Sequence, residues 1–200
     1  LVVIYYLLSL SSTYFLQTEQ LLEQALYENY NQSNVLEIIR GAKEYQWLKY
    51  VILPLLLLLK WLFVSTLLYT ALFFAQIETT FKQLWQIALK AEWVFVVAAL
   101  VKFLWFYLMI TDYTLEDFQH FYPLSAANLF APGELEPWWL YPFQLINVFE
   151  IVYFLVLAIL LGKSLNITTG KAGEFVLKGY GTGLLLWVLV VVFITLNFSF

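Results

Sequence analysis

The sequence predicts an all-α, polytopic membrane helix bundle with about five transmembrane helices plus short interfacial helices, forming a single transmembrane domain over residues 1–200. Three observations carry that reading. The chain is 62% apolar and only 12% charged, whereas a soluble domain is about half apolar and about a quarter charged. Its mean hydropathy is +0.79, and about 20 apolar residues per crossing leave room for about five crossings. Unbroken apolar runs such as Leu55 to Leu59 lack the alternation of a barrel strand, and a helix satisfies its own backbone polar groups inside hydrocarbon.

The elements follow in chain order. The first apolar stretch, 1–16, stops at Gln17-Thr18-Glu19-Gln20. It is short for a span, and because the chain opens on Leu1 rather than Met, residues upstream of it are expected. No basic residues before it and no small-residue cleavage site after it mark a signal peptide. Segment 17–46 reads as two short helices broken in the turn-rich run Asn29 to Asn34. The second span is 47–76, with Pro54 about two turns inside, where lipid tolerates a kink. In 77–92, Ile77, Phe81, Leu84, Trp85 and Ala88 share one helical face while Lys82, Gln83, Gln86 and Lys90 lie off it. That pattern fits a helix lying in the interface and a plain helical connector equally. The third span is 93–110.

The loop 111–142 is dense in aromatic residues, with Pro123, Pro132 and Pro137 as breaks. Rings of this kind settle at headgroup level, so an aromatic belt is the plain reading. A binding lid is the sharper one, with His120, Phe121, Tyr122, Trp138 and Trp139 as its contact surface. The fourth span is 143–162 and the fifth is 180–200.

Lysine and arginine are retained on the cytoplasmic side. The loop 111–142 carries Asp112, Glu116, Asp117, Glu134 and Glu136 and no basic residue, while 163–179 carries Lys163, Lys171 and Lys178 against Glu174. The former is therefore placed outside and the latter inside, which puts the amino end in the cytoplasm and the carboxyl end out. A bacterial inner membrane is the expected location.

Ionisable groups inside a span are costly and flag a site or a pair. Lys60, Lys102 and Glu150 are the three. Lys102 lies 8 residues before Ile110 and Glu150 lies 7 after Phe143, so both fall about 10–12 Å below the outer surface. A Lys102–Glu150 ion pair between neighbouring antiparallel spans is natural, with Asn147 on the same face as Glu150. A substrate or ion pathway, or snorkelling lysines, are the other readings. Lys60 has no sequence-local partner and suits an anionic headgroup or a share of Glu150. Gly179 and Gly183 form a small-xxx-small pair, a helix-packing face. The run Gly179-Tyr-Gly-Thr-Gly183 is not a potassium filter, because it opens a span directly rather than sitting in a re-entrant loop.

A net charge of −4 and the absence of cysteine speak against nucleic-acid binding and against disulfide or cysteine–zinc frameworks. His120 lies near Glu116 and Asp117 with Ser125 downstream, but no nucleophile elbow accompanies them. Asn166-Ile-Thr168 matches a glycosylation sequon on the side assigned to the cytoplasm. No catalytic, metal or cofactor site is expected.

The five-span layout and the stretch Lys178 to Leu189, where Gly-Tyr starts a span ahead of an apolar run, resemble the Ypt-interacting protein (Yip) family over about residues 50–200. Eukaryotic members are implicated in vesicle traffic and small-GTPase binding through an amino-terminal region with an Asp-Leu-Tyr-Gly-Pro motif. That motif does not occur here, and the chain looks like the shorter bacterial members, which supply no catalytic residues. The expected function is a non-catalytic scaffold or accessory subunit of a membrane assembly, with membrane lipid and other membrane subunits as partners. The alternative is a small carrier or channel for an anion or lipid that uses Lys60, Lys102 and Glu150.

Overall fold

The apolar runs fold here as helices, which satisfy their own backbone polar groups, and the faces they turn to one another are mainly leucine, valine and tyrosine, with alanine and glycine where backbones approach closely. The computed structural model describes residues 1–110, 112–131 and 133–198, so Thr111, Pro132 and the end of the fifth stretch at Phe200 lie outside the described residues. The helices are α1 (Val2–Phe15), α2 (Thr18–Asn29), α3 (Gln32–Glu44), α4 (Leu48–Phe74), α5 (Phe81–Ala91), α6 (Trp93–Leu108), α7 (Leu115–His120), α8 (Pro137–Leu145), α9 (Val148–Leu165), α10 (Thr169–Val176) and α11 (Thr182–Phe198). A 3₁₀ turn occupies Ala126–Leu129, and a π-helical turn, Leu177–Gly181, joins α10 to α11. Among the described residues the only β-type pairing is a bridge between Ser125 and Asn147.

Among the described residues, three helical runs are long and apolar enough to cross a membrane: Leu48–Phe74, Val148–Leu165 and Thr169–Asn197. The stretch 1–16 yields a helix of 14 residues and 93–110 one of 16. These reach about 21 and 24 Å, short of a hydrocarbon core of about 30 Å.

Several boundaries move from those the sequence suggests. The fourth stretch does not begin at Phe143: α8 ends at Leu145, and α9 starts only after Asn147, whose side chain accepts from the Glu150 N–H at 2.7 Å. The fifth begins near Thr169 rather than Tyr180. Asn166 closes α9 in the left-handed region (φ 53°), and Thr168 caps α10 by accepting from Lys171 N–H, so both ends of the sequon are spent on a tight helical hairpin.

Helix α5 packs by its apolar face into the core of the bundle. Its Leu84, Ile87, Ala88 and Ala91 are buried in a core shared with Val64, Leu68 and Leu72 of α4, Tyr153, Leu157 and Leu161 of α9, and Ala172 and Val176 of α10. A Thr80–Gln83 capping box starts it, meeting two of the N–H groups left open at a helix start.

The chain then turns at one residue, Glu92, and continues as α6. Helix α5 lies along α4 and α9, whereas α6 makes its contacts with α1 and α9. The parting of α4 from α6 beyond Glu92 leaves the space in which the candidate site lies.

Candidate functional site

Glu92 is fully buried, 0% exposed, at the α5–α6 junction. Its Oε1 accepts from the Lys60 ammonium at 2.9 Å and from the Tyr5 hydroxyl at 3.0 Å. The Lys60 Nζ also stands 3.7 Å from the centre of the Phe95 ring, a cation–π contact strengthened by desolvation. Side chains of α1 and α4 thus converge on the carboxylate at the head of α6. A buried charge persists only when paired and hydrogen-bonded; the second oxygen, Oε2, has no partner among the described residues, nor does the buried Tyr153 hydroxyl.

Between α4 and α6, continuing to the starts of α9 and α11, lies a cavity of about 960 Å³. Its lining is mostly apolar and aromatic, with leucine the commonest residue, and its polar members include Lys60, Glu92, Lys102, Asn147, Glu150 and Tyr180. That size lies at the upper end of ligand pockets, about 300–1,000 Å³, and a few fixed polar groups on apolar walls is their usual makeup. The rim on α4 faces outward: Leu56, Leu59 and Phe63 line the cavity and are 58%, 48% and 45% exposed.

All four members of the expected charge network, Lys60, Lys102, Asn147 and Glu150, line this cavity, but the expected Lys102–Glu150 ion pair does not form. Glu150 falls in the first turn of α9 and accepts from the Tyr180 hydroxyl at 2.5 Å. Lys102 has no carboxylate partner among the described residues; its ammonium rests 4.6 Å from the Phe118 ring centre. Asn147 serves as the cap of α9, its amide donating to the carbonyls of Gln144 and Leu145.

The residue that sequence reasoning missed is Glu92. It closes the segment 77–92, at i+8 from Leu84 and i+4 from Ala88, on the apolar face of α5. An acid in that register, with a lysine deep in the preceding span, was the available signal.

The five aromatic-segment residues divide. Phe121 stacks on Trp105 (5.5 Å, 12°) and meets Phe106 edge-on, while Tyr122 lines the cavity. Burial pushes the Tyr122 phenol up to about 12, so it stays a neutral hydroxyl. His120 stands 4.0 Å from Glu116, and its carbonyl accepts from Gln144. Trp138 is half-buried and Trp139 is exposed, edge-on to Phe143. Strand-like bonds from Ala126 N–H to Ile146 O and from Val148 N–H to Leu124 O tie this segment to the head of α9, and Tyr122, Pro123, Tyr141 and Gln144 close one end of the cavity. Thr114 caps α7 in a capping box with Asp117, and hydrogen bonds donated by the Thr114 backbone and hydroxyl hold the Asp117 carboxyl below the usual range.

Gly179 and Gly183 both face α4. A Cβ on Gly179 would stand 2.7 Å from the Leu67 carbonyl oxygen, and one on Gly183 would meet the Leu67 side chain. The glycine face is therefore occupied within the chain.

Comparison of the chain with models of protein families, with curated proteins and with solved structures finds no match to any of them, and nothing in the comparisons bears on the resemblance to the Yip family.

Proposed function

We propose that this chain is a non-catalytic integral membrane protein that draws an amphipathic molecule from the bilayer into the cavity between α4 and α6, as a small lipid binder or carrier. One observation carries the reading: a large apolar cavity whose rim on α4 is made of outward-facing leucines, with charged groups fixed at its inner wall. A soluble substrate would meet leucine on the way in, whereas an acyl chain crosses such a rim without leaving an apolar medium. The scaffold reading takes second place, because the glycine face that supported it is used against Leu67.

The reading includes five crossings: α1, α4, α5 with α6, α9, and α10 with α11, amino end in and carboxyl end out, in a bacterial inner membrane. Residues 81–108 taken together run about 42 Å, comparable to the 27-residue α4 beside them.

The test is lipid retention. The full chain, extracted in mild detergent and washed, is expected to carry a stoichiometric lipid in native mass spectrometry. Ala99→Phe, which places a ring in the cavity, should lower retention by at least about tenfold, the order expected when burial of an apolar tail is lost, while the melting temperature holds. Wild-type protein that emerges lipid-free and fully folded would overturn the reading.

A further inference from the structure

Resting on the reading just given, we infer that the bound molecule is an anionic lipid whose phosphate or carboxylate sits at Lys102, with its chains along the leucines of α4. A second cavity of about 520 Å³ adjoins the first: Tyr5, Leu53, Leu56, Ala99 and Lys102 line both. The two differ in charge. The large cavity holds Glu92 and Glu150 beside its lysines, whereas the lining of the small one contains Lys49 and Lys102, the hydroxyls of Ser9, Ser12 and Thr13, and no acidic residue. One is a slot for apolar chains and the other a receptacle for negative charge, and Lys102 stands where they meet.

The lysines are not equivalent. Lys60 is neutralised by Glu92 at 2.9 Å. Lys49 is exposed and within 3.7 Å of Glu19. Lys102 alone of the three faces both cavities with no carboxylate beside it, and an unpaired ammonium at such a position is costly until an anion joins it. Its contact with the Phe118 ring draws the ammonium toward the end of the molecule where α7 lies without cancelling its charge. Lys49 and Tyr50 at the start of α4, and Ser12 and Thr13 near the end of α1, line the same small cavity. A headgroup held there, at the level where α4 begins, leaves its chains to run down the apolar wall past Leu56.

The experiment compares phosphatidylglycerol with diacylglycerol of identical chains, which lacks the phosphate, each added to the delipidated full chain in detergent and read by native mass spectrometry. Phosphatidylglycerol should be retained at least about tenfold better, the order of one charge-assisted hydrogen bond. Lys102→Gln should abolish that preference while leaving retention of diacylglycerol unchanged, and Lys102→Arg should keep it. Equal retention of both lipids by the wild type overturns the inference yet leaves lipid binding standing, whereas retention of neither overturns the reading beneath it. Displacement of phosphatidylglycerol by millimolar inorganic phosphate would make this a free-anion site and also overturn the inference. Should Lys102→Gln fail to fold, the wild-type ratio and the Lys102→Arg variant decide.

Discussion

Lys60 and Glu92 are coupled unequally to their surroundings, and the inequality has a measurable consequence. The Glu92 side chain is 1% exposed and that of Lys60 is 35% exposed. Removing one partner from a buried pair costs about 3–5 kcal/mol because the other charge is orphaned, while replacing both by apolar groups is often neutral. Lys60→Met strands a carboxylate with nowhere to go and should bear the full cost. Glu92→Gln strands an ammonium that reaches toward the cavity mouth on four methylenes, and should cost clearly less. The double variant Lys60→Met/Glu92→Leu should melt close to the wild type. Thermal unfolding of the four proteins in one detergent checks the order; a Lys60→Met protein as stable as the wild type would mean that the pair contributes nothing. Glu92 also shows what the sequence concealed. Its register on α5 was visible, but the level at which α5 packs is fixed by the turn 75–80 folding α5 back along α4, and nothing local to Glu92 states that.

At the level of elements, the sequence reads 77–92 as an interfacial helix or a helical connector and 163–179 as a loop between spans, and both hold helices packed into the core. Helix α5 and the first half of the run Thr169–Asn197 carry lysines, which hydropathy reads as the end of a span. The lysines sit on their outward faces, and Leu84, Ile87, Ala88, Ala91, Ala172, Phe175 and Val176 make the buried ones. Composition averages over the faces of a helix, so a half-polar helix inside a bundle is indistinguishable from one at its edge. The glycine pair was legible because its spacing alone puts both residues on one face, although which neighbour it meets is tertiary information. Within that pair the two positions should behave differently. A Cβ at Gly179 collides with the backbone oxygen of Leu67, which can move only if α4 moves; one at Gly183 collides with the Leu67 side-chain methyls, which can rotate away. Gly179→Ala should therefore destabilise by about 1–3 kcal/mol, the usual range of overpacking, and Gly183→Ala by less. Melting temperatures that fall equally for both would sink the distinction.

For the whole molecule, the question is whether α5 and α6 act together as one crossing. Taken singly, neither spans hydrocarbon; taken as residues 81–108, they match α4 in length and place Glu92 level with the middle of α4, where Lys60 meets it. That level also explains why the cavity exists: a straight helix following α4 for its whole length would fill the space, and the parting at Glu92 opens it. If the pair does cross, the turn 75–80 and the turn 166–168 lie on one side of the membrane, and the segments 17–46 and 109–147 lie on the other. Because the chain has no cysteine, each introduced thiol is the only one present, which makes labelling by a membrane-impermeant maleimide a clean readout. In intact cells Glu28→Cys and Glu134→Cys should label, while Glu78→Cys and Ser164→Cys should label only after lysis. Labelling of Glu78→Cys and Glu134→Cys from the same side would mean that α5 and α6 do not cross, leaving α1, α4, α9 and the α10–α11 run as the crossings. Helix α4 would still cross and its leucines would still face lipid, but α6 would no longer wall the cavity within hydrocarbon, so the same four thiols also test the topology on which the proposed entry past the α4 leucines rests.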